Sequence, residues 1–198
     1  SISPYSLALG DIDNDGDLDL ILSGIYTEIY LNNGTSFNAN PTWQNLVTGS
    51  NGASSDSIAL GDIDNDGDLD LIFPGMESNR VFWINNGTSF INNSVWGQEI
   101  IDDTGKISTG LVDFDNDGDL DLNIMGVDSG RSYLNNRTSF VESSSLWGTL
   151  NRDEGNIAWG DFDNDGDFDY CISSGIAGFR VGINNGTTFV DGPSWETE

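Results

Sequence analysis

Five aspartates alternate with other residues in a nine-residue stretch that occurs four times, as DIDNDGDLD twice, then as DFDNDGDLD and DFDNDGDFD. In every copy carboxylates occupy positions 1, 3, 5, 7 and 9, and glycine occupies position 6. Like charges this close repel one another, so a bare loop of this kind is unstable. A hard divalent cation removes the repulsion, and Ca²⁺ takes about six to eight oxygen ligands from such loops. The spacing therefore predicts four calcium sites, one per copy.

In the first copy the ligands can be assigned by position. Asp17 is expected to contribute its backbone carbonyl, and Gly16 to permit a sharp turn that a Cβ would obstruct. The other four aspartates are expected to bind the ion through their side chains: Asp11, Asp13, Asp15 and Asp19.

Two alternatives to this interpretation are weaker. An EF-hand needs a Glu at position 12 and flanking helices. Position 12 is instead apolar in each copy, as Leu22, Phe73, Ile124 and Ile172, and the flanks are apolar without a helical period. The loop is therefore expected to join two β-strands. A solvated acidic loop without metal is disfavoured because all four copies keep Asp at every odd position.

The composition restricts the partners. The 33 acidic and 6 basic residues give a net charge of −27, which four Ca²⁺ ions would reduce to −19. Nucleic acids and anionic membranes are not expected as direct partners, because binding phosphate requires a basic patch. No apolar run is long enough for a membrane span. The chain has no histidine, the commonest general base, and its one cysteine, Cys171, excludes an intrachain disulfide.

The acidic stretches mark an internal repeat. They start at residues 11, 62, 113 and 161, which defines repeats at about 1–50, 51–101, 102–150 and 151–198 of one domain. In the first repeat we predict strands at Ser6–Asp11, Leu18–Ser23 and Glu28–Asn32, and a fourth from Ser36 towards Trp43. About 50 residues and four antiparallel strands per repeat are typical of a β-propeller blade. The predicted fold is an all-β propeller of four blades, with each acidic loop between the first two strands.

Two further features recur with the same period. A tryptophan lies near the end of each repeat, as Trp43, Trp96, Trp147 and Trp195. Packing between blades is favoured for these rings over a ring of sugar platforms. An N-x-T sequon recurs at Asn33, Asn86, Asn136 and Asn185, and an N-x-S sequon begins at Asn92. Turn chemistry is favoured over glycosylation at these sites because Asn tolerates positive φ.

The stretch SLALGDIDNDGDLDLILSG resembles the calcium-loop half of the FG-GAP repeat of integrin α-subunits, and equally the VCBS-type repeats of bacterial and archaeal surface proteins. The resemblance covers all four repeats, although integrin-type propellers have seven blades. It implies a propeller with Ca²⁺ in each first hairpin. The implied ligands in the later copies are Asp62, Asp64, Asp66, Asp68 and Asp70; Asp113, Asp115, Asp117, Asp119 and Asp121; and Asp161, Asp163, Asp165, Asp167 and Asp169.

These features favour a non-catalytic, calcium-binding recognition or adhesion module that binds a protein or glycan on one propeller face. A carbohydrate-binding lectin is the alternative. A polysaccharide-active enzyme is less favoured because the repeated aspartates are committed to metal. Rigid calcium sites suit the millimolar calcium outside cells, so a secreted or cell-surface location is expected.

The four repeats are compatible with three kinds of assembly. A closed four-bladed monomer is favoured, because both chain ends fall at repeat boundaries. A two-fold dimer completing an eight-bladed ring and a segment of a longer array are the alternatives. The start at Ser1, without Met, suggests a processed chain or an excised domain.

Overall fold

The computed structural model describes residues 6–24, 26–40, 42–47, 57–73, 81–98, 100, 108–125, 130–143, 154–174 and 178–192. Over these ranges the chain forms sixteen β-strands and no helix. The strands make four four-stranded antiparallel sheets, one per repeat, each in chain order. No helix able to cross a membrane occurs in these ranges. The predicted all-β fold, with one four-stranded blade per repeat, is confirmed.

The strand bounds repeat with the sequence period. The first repeat contains β1 (Ser6–Gly10), β2 (Asp19–Ser23), β3 (Tyr26–Tyr30) and β4 (Trp43–Val47). The second contains β5 (Ala59–Gly61), β6 (Asp70–Phe73), β7 (Val81–Asn85) and β8 (Phe90–Asn92). The third contains β9 (Ser108–Val112), β10 (Asp121–Met125), β11 (Gly130–Asn135) and β12 (Phe140–Glu142). The fourth contains β13 (Glu154–Gly160), β14 (Asp169–Ser174), β15 (Gly178–Asn184) and β16 (Phe189–Asp191).

Each acidic loop joins the first and second strands of its sheet, as predicted. In the first repeat Gly10 pairs with Asp19, so position 9 of the loop opens the second strand. The same pairing closes the other loops, between Gly61 and Asp70, Val112 and Asp121, and Gly160 and Asp169. A hairpin of this form fixes both ends of the loop.

The second strands lie at the centre of the packing. Every residue of β6 and of β10 is buried, which explains why these segments are apolar on both faces.

The structure describes two of the four tryptophans that recur with the repeats. Trp43 packs edge-on against Phe90 with ring centroids 5.5 Å apart, and Trp96 is buried. Trp43 therefore serves the packing between the first two repeats. Trp147 and Trp195 lie outside the described residues.

The fourth strand of the first repeat was predicted wrongly. Among the described residues between Ser36 and Trp43 there is only an isolated bridge, from Asn32 to Phe37, and β4 begins where the predicted strand was to end. The Asn38 N–H donates to Leu31 O, and the next donor to the third strand is the Thr42 N–H, to Ile29 O. The intervening sequence contains Pro41, which has no N–H for a ladder.

The chain divides into two compact units, Ser1–Gln98 and Glu99–Glu198, each containing two repeats. In the first unit residues of both repeats share one apolar core, which includes Ile12, Ile21, Leu71 and Phe90. In the second, Met125 of the third repeat packs with residues of the fourth, Tyr170, Ile172 and Trp159. That the whole chain forms one domain stays a prediction.

Candidate metal centre

Three aspartate carboxylates converge in every acidic loop. One oxygen from each of the three lies within 4.8 Å of the others. Positions 1 and 3 belong to every group, and the third member is position 5 in the first two repeats and position 9 in the last two. The groups are Asp11, Asp13 and Asp15; Asp62, Asp64 and Asp66; Asp113, Asp115 and Asp121; and Asp161, Asp163 and Asp169. Three acidic oxygens this close are able to hold a metal ion.

The loop backbone turns through two left-handed residues. Asn14 at position 4 has φ of 59° and Gly16 at position 6 has φ of 94°, and the other copies match them closely. A Cβ on Gly16 would meet nothing within 4 Å. The expectation that a Cβ would be obstructed is therefore wrong in its reason. The turn needs glycine because of its φ, which L side chains rarely adopt.

The carboxylate at position 1 organises the loop from inside. Asp11 accepts hydrogen bonds from the Asp15 N–H at 3.0 Å and the Gly16 N–H at 2.9 Å, one on each oxygen. Asp15 Oδ1 in turn accepts from the Asp17 N–H at 2.9 Å. The same bonds recur in the other three loops. The protein alone therefore shapes each loop around its carboxylates.

The carboxylate at position 9 braces three segments. Asp70 is fully buried, and its oxygens accept from the Ile63 N–H at 2.9 Å and the Asn85 N–H at 2.8 Å. This side chain ties position 2 of the loop to the end of the third strand. The equivalent aspartates are also fully buried and make the same two bonds: Asp19, Asp121 and Asp169. Position 9 was predicted only as a metal ligand, and the sequence carries no signal for its bracing role.

The position 3 carboxylates lack a compensating positive charge. Partial desolvation and the neighbouring loop aspartates raise the pKa of this group in every repeat, in Asp13, Asp64, Asp115 and Asp163. Asp64 Oδ1 is buried and has no hydrogen-bond partner. A cation bound by this oxygen would both supply the missing partner and lower these pKa values, so the residues present fit a hard metal ion.

Burial raises the pKa of Asp70 and of Asp121 to about 7, although each accepts two backbone hydrogen bonds that lower it. The folded pKa of each group lies above its unfolded value, so the associated stability is present below pH 3.8 and lost as the pH rises through 7. We expect the chelated protein to melt at a higher temperature at pH 5 than at pH 8.

Calorimetry in EDTA across this range measures the effect. The Asp70→Asn, Asp121→Asn double variant is the control, because it keeps the shape but removes both titrations. A chelated wild-type protein whose stability stays flat or rises from pH 5 to pH 8 would contradict the expectation.

The position 7 carboxylate points away from the metal cluster. Asp17 belongs to none of the converging groups, and a Cβ added to Gly34 would lie 2.9 Å from its Oδ2. In the third repeat the glycine is replaced by Arg137, at φ 68°, whose Nε donates to both oxygens of Asp119 at 2.8 and 2.9 Å. The geometry leaves the backbone carbonyl of position 7 as its possible ligand atom, and that role stays a prediction.

Position 7 also contacts the preceding repeat. In the first unit Asn14 Nδ2 donates to Asp68 Oδ1 at 2.7 Å, and in the second Asn116 Nδ2 donates to Asp167 Oδ1. The sequence analysis assigned no role to the asparagine at position 4. Its presence in all four loops was the available signal, although nothing local indicates a partner 54 residues away.

The turn after each third strand is closed by the asparagine that begins the N-x-T sequon. Glycine follows this asparagine in three repeats, and Arg137 follows it in the third. Asn33 Oδ1 accepts from the Thr35 N–H, the Thr35 hydroxyl and the Ser36 N–H, at 3.2, 2.8 and 3.1 Å. The same oxygen does so in the other repeats, in Asn86, Asn136 and Asn185. Turn chemistry, favoured from the sequence, therefore accounts for these four asparagines. The expected reason was wrong, because the positive φ belongs to the residue after each asparagine, Gly in three repeats and Arg137 in the third.

The four-stranded β-blades, each with an aspartate-lined hairpin loop able to hold a cation, define a β-blade repeat protein. The FG-GAP-like repeat family model matches residues 11–73 and 113–172. The chain belongs to the FG-GAP-like repeat family. No curated protein is significantly similar to it.

Two solved structures resemble this chain to different degrees. One is an Agrocybe aegerita lectin with specific recognition of non-reducing terminal N-acetylglucosamine, with a TM-score of 0.63 and 22% identity over 93% of this chain. The chain spans 50% of that lectin's length. The other is a mutant Photorhabdus luminescens Tc holotoxin pore, with a TM-score of 0.46 and 18% identity over 97% of this chain and 10% of the pore chain.

Proposed function

We propose that this protein is a non-catalytic, calcium-dependent recognition module that acts outside the cell and binds glycans. The observation that carries the proposal is the repetition of one acidic loop in four blades, with three converging carboxylates in each, which always include positions 1 and 3. Four equivalent metal loops are better suited to stabilising the fold than to catalysis, because a catalytic centre needs one distinctive set of groups.

Calcium is the ion that these loops suit best. Their donors are carboxylate and carbonyl oxygens, which hard cations prefer, and no histidine is present in the chain. Mg²⁺ demands near-ideal octahedral geometry and retains waters, whereas Ca²⁺ accepts the irregular geometry of a nine-residue loop. The bound ion would neutralise the carboxylates and hold the hairpin. The aspartates at positions 1, 3, 5 and 9, together with the carbonyl of position 7, would hold it.

The assignment of ligands within a loop is testable in the first repeat. We expect Asp15→Ala to weaken calcium binding at the first site at least tenfold, because it removes a converging carboxylate. Asp17→Ala should have little effect on that site, because the Asp17 side chain points towards the Asn-Gly turn. Isothermal titration calorimetry compares them, and both variants remove one negative charge from the same loop. Equal losses would mean that the Asp17 carboxylate is itself a ligand.

Glycans are favoured as the ligand class over proteins because of the fold shared with the lectin that recognises terminal N-acetylglucosamine. The described tryptophans are buried or partly buried, so they do not supply sugar platforms. Exposed asparagine and aspartate side chains at the loops and turns would provide the hydrogen-bonding groups that hydroxyl-rich ligands require.

A glycan array with the calcium-saturated protein tests the proposal. We expect binding to a restricted set of glycans, including terminal N-acetylglucosamine, and loss of that binding in EDTA. A second array with magnesium replacing calcium is the ion control. Binding to matrix proteins with no glycan bound would support the adhesion alternative instead. Hydrolysis or elimination of a polysaccharide would overturn the non-catalytic assignment.

A further inference from the structure

Neighbouring repeats in the first unit are joined by two reciprocal hydrogen bonds. The earlier repeat donates from the position 4 side chain, Asn14 Nδ2 to Asp68 Oδ1, at 2.7 Å. The later repeat donates back from its turn, Asn85 Nδ2 to Ile12 O at position 2, at 3.1 Å. We call this pair of bonds, with the apolar contacts around it, the blade joint.

The second unit contains the same joint. Asn116 Nδ2 donates to Asp167, and Asn184 Nδ2 donates to Phe114 O at 3.0 Å. Phe114 is 2% exposed and stacks against Trp159 of the later repeat. The joint is therefore directional. We call the face with positions 2 and 4 the donor face, because its position 4 side chain donates to position 7. The face with position 7 and the turn asparagine, Asn85 or Asn184, is the acceptor face, although this asparagine donates back to the position 2 carbonyl.

Within the second unit, no described residue covers the donor face of the fourth repeat, which is formed by Phe162 and Asn164. Phe162 is 49% exposed, whereas the equivalent Ile12 is 1% exposed. Asn164 Nδ2 donates to none of the described residues, although Asn164 has the left-handed φ, 62°, of the paired asparagines. The donor face of the fourth repeat thus has the side chains of one half of a blade joint, but they make no such contacts with the described residues.

Within the first unit, the described residues leave the acceptor face of the first repeat exposed as well. We define it by Leu7, Leu9, Asp17, Leu18 and Asn32. The three leucines are 65%, 53% and 56% exposed. Their equivalents in the second repeat are partly buried and pack against the core shared with the first repeat: Ile58, Leu60 and Leu69. The Asp17 carboxylate accepts no hydrogen bond from the described residues, and Asn32 Nδ2 donates only within its repeat, to Leu18 O at 3.1 Å.

We propose that the donor face of the fourth repeat docks on the acceptor face of the first repeat in a second copy of this chain. Each face supplies what the other lacks. Asn164 would donate to the partner's Asp17, the partner's Asn32 would donate to the Phe162 carbonyl, and the leucines would cover the Phe162 ring. The contact is head-to-tail, so it either closes between two copies or continues into longer chains. It is independent of the glycan proposal.

Analytical ultracentrifugation at micromolar concentration in calcium tests this docking. We expect a species of at least twice the 21.4 kDa chain mass. Leu9→Asp on the acceptor face and Phe162→Ser on the donor face should each weaken association at least tenfold. Ile91→Asp and Val190→Ser are matched controls, since Ile91 is as exposed as Leu9, at 53%, and Val190, at 48%, as exposed as Phe162. Both controls lie on fourth strands and should leave association unchanged.

Mixing the two face variants distinguishes the head-to-tail contact from other pairings. The Leu9→Asp chain keeps a donor face and the Phe162→Ser chain keeps an acceptor face, so an equimolar mixture should form a pair that neither forms alone. A wild-type chain that stays monomeric at every concentration would overturn the proposal in favour of closure within one chain. Dissociation by Leu9→Asp but not by Phe162→Ser would also overturn it, because the acceptor face would then pair with itself. Calorimetric melting of each variant verifies that it is folded.

Discussion

Removal of calcium with EDTA is expected to lower the melting temperature of this protein by about 20 °C or more. A site whose free ion is at 100 times its dissociation constant contributes about 2.7 kcal/mol. Four independent sites would contribute roughly 10 kcal/mol, and each kcal/mol is worth about 2–4 °C in a domain of this size. The carboxylates freed from the ion also repel one another within each loop, in a chain of net charge −27.

Differential scanning calorimetry in excess calcium and in EDTA measures this change. Restoring calcium to the chelated sample should restore the original melting temperature. Sodium chloride at matched ionic strength is the control, because it screens the general repulsion without filling the loops. A shift of only a few degrees, with metal removal verified by elemental analysis, would reject calcium as the structural ion.

The second large effect is expected from Asp70→Ala. The Asp70 side chain is fully buried and accepts from two backbone N–H groups, of Ile63 and Asn85, which alanine would leave without partners. A buried donor without a partner costs about 1–3 kcal/mol. With two such donors, the substitution should lower the free energy of unfolding by about 2–6 kcal/mol, besides any loss of calcium affinity.

Asp66→Ala is the matched control for this measurement. It removes the same charge from the same loop and a carboxylate of the converging group, but Asp66 is exposed and braces no strand. Urea unfolding in calcium should rank Asp70→Ala well below Asp66→Ala in stability, and the difference should persist in EDTA. Equal losses for the two variants would show that position 9 acts through metal alone.

The sequence was informative wherever one segment sets its own geometry. The alternation of aspartates, with glycine at position 6, was enough to place each loop between two strands and to bring positions 1 and 3 together. Repeat length predicted the four-stranded sheets, because successive antiparallel strands pair with their neighbours in the chain. The asparagine turns were predicted, but for the wrong reason: Asn33 closes its turn through its side-chain oxygen, and the positive φ belongs to the next residue, Gly34.

Contacts between distant segments were not predictable in the same way. Asp17 and Asp68 occupy the same position in identical loops, yet only Asp68 accepts a hydrogen bond from a neighbouring repeat. A periodic sequence does not say which copies are adjacent in space. The fourth strand of the first repeat starts later than predicted because the segment that contains Pro41 departs from the repeat pattern. A prediction based on what the repeats share does not include such a local difference.

The two halves of the blade joint have a consequence for how such proteins change length. Positions 2 and 4 form one half of the joint, and position 7 and the turn asparagine form the other, so one repeat carries both halves. A tandem duplication of one repeat in the gene therefore inserts a blade that already matches the repeats on both sides. Loss of one whole repeat likewise brings two matching halves together. Repeat number is then free to drift between lineages without any new interface having to be selected.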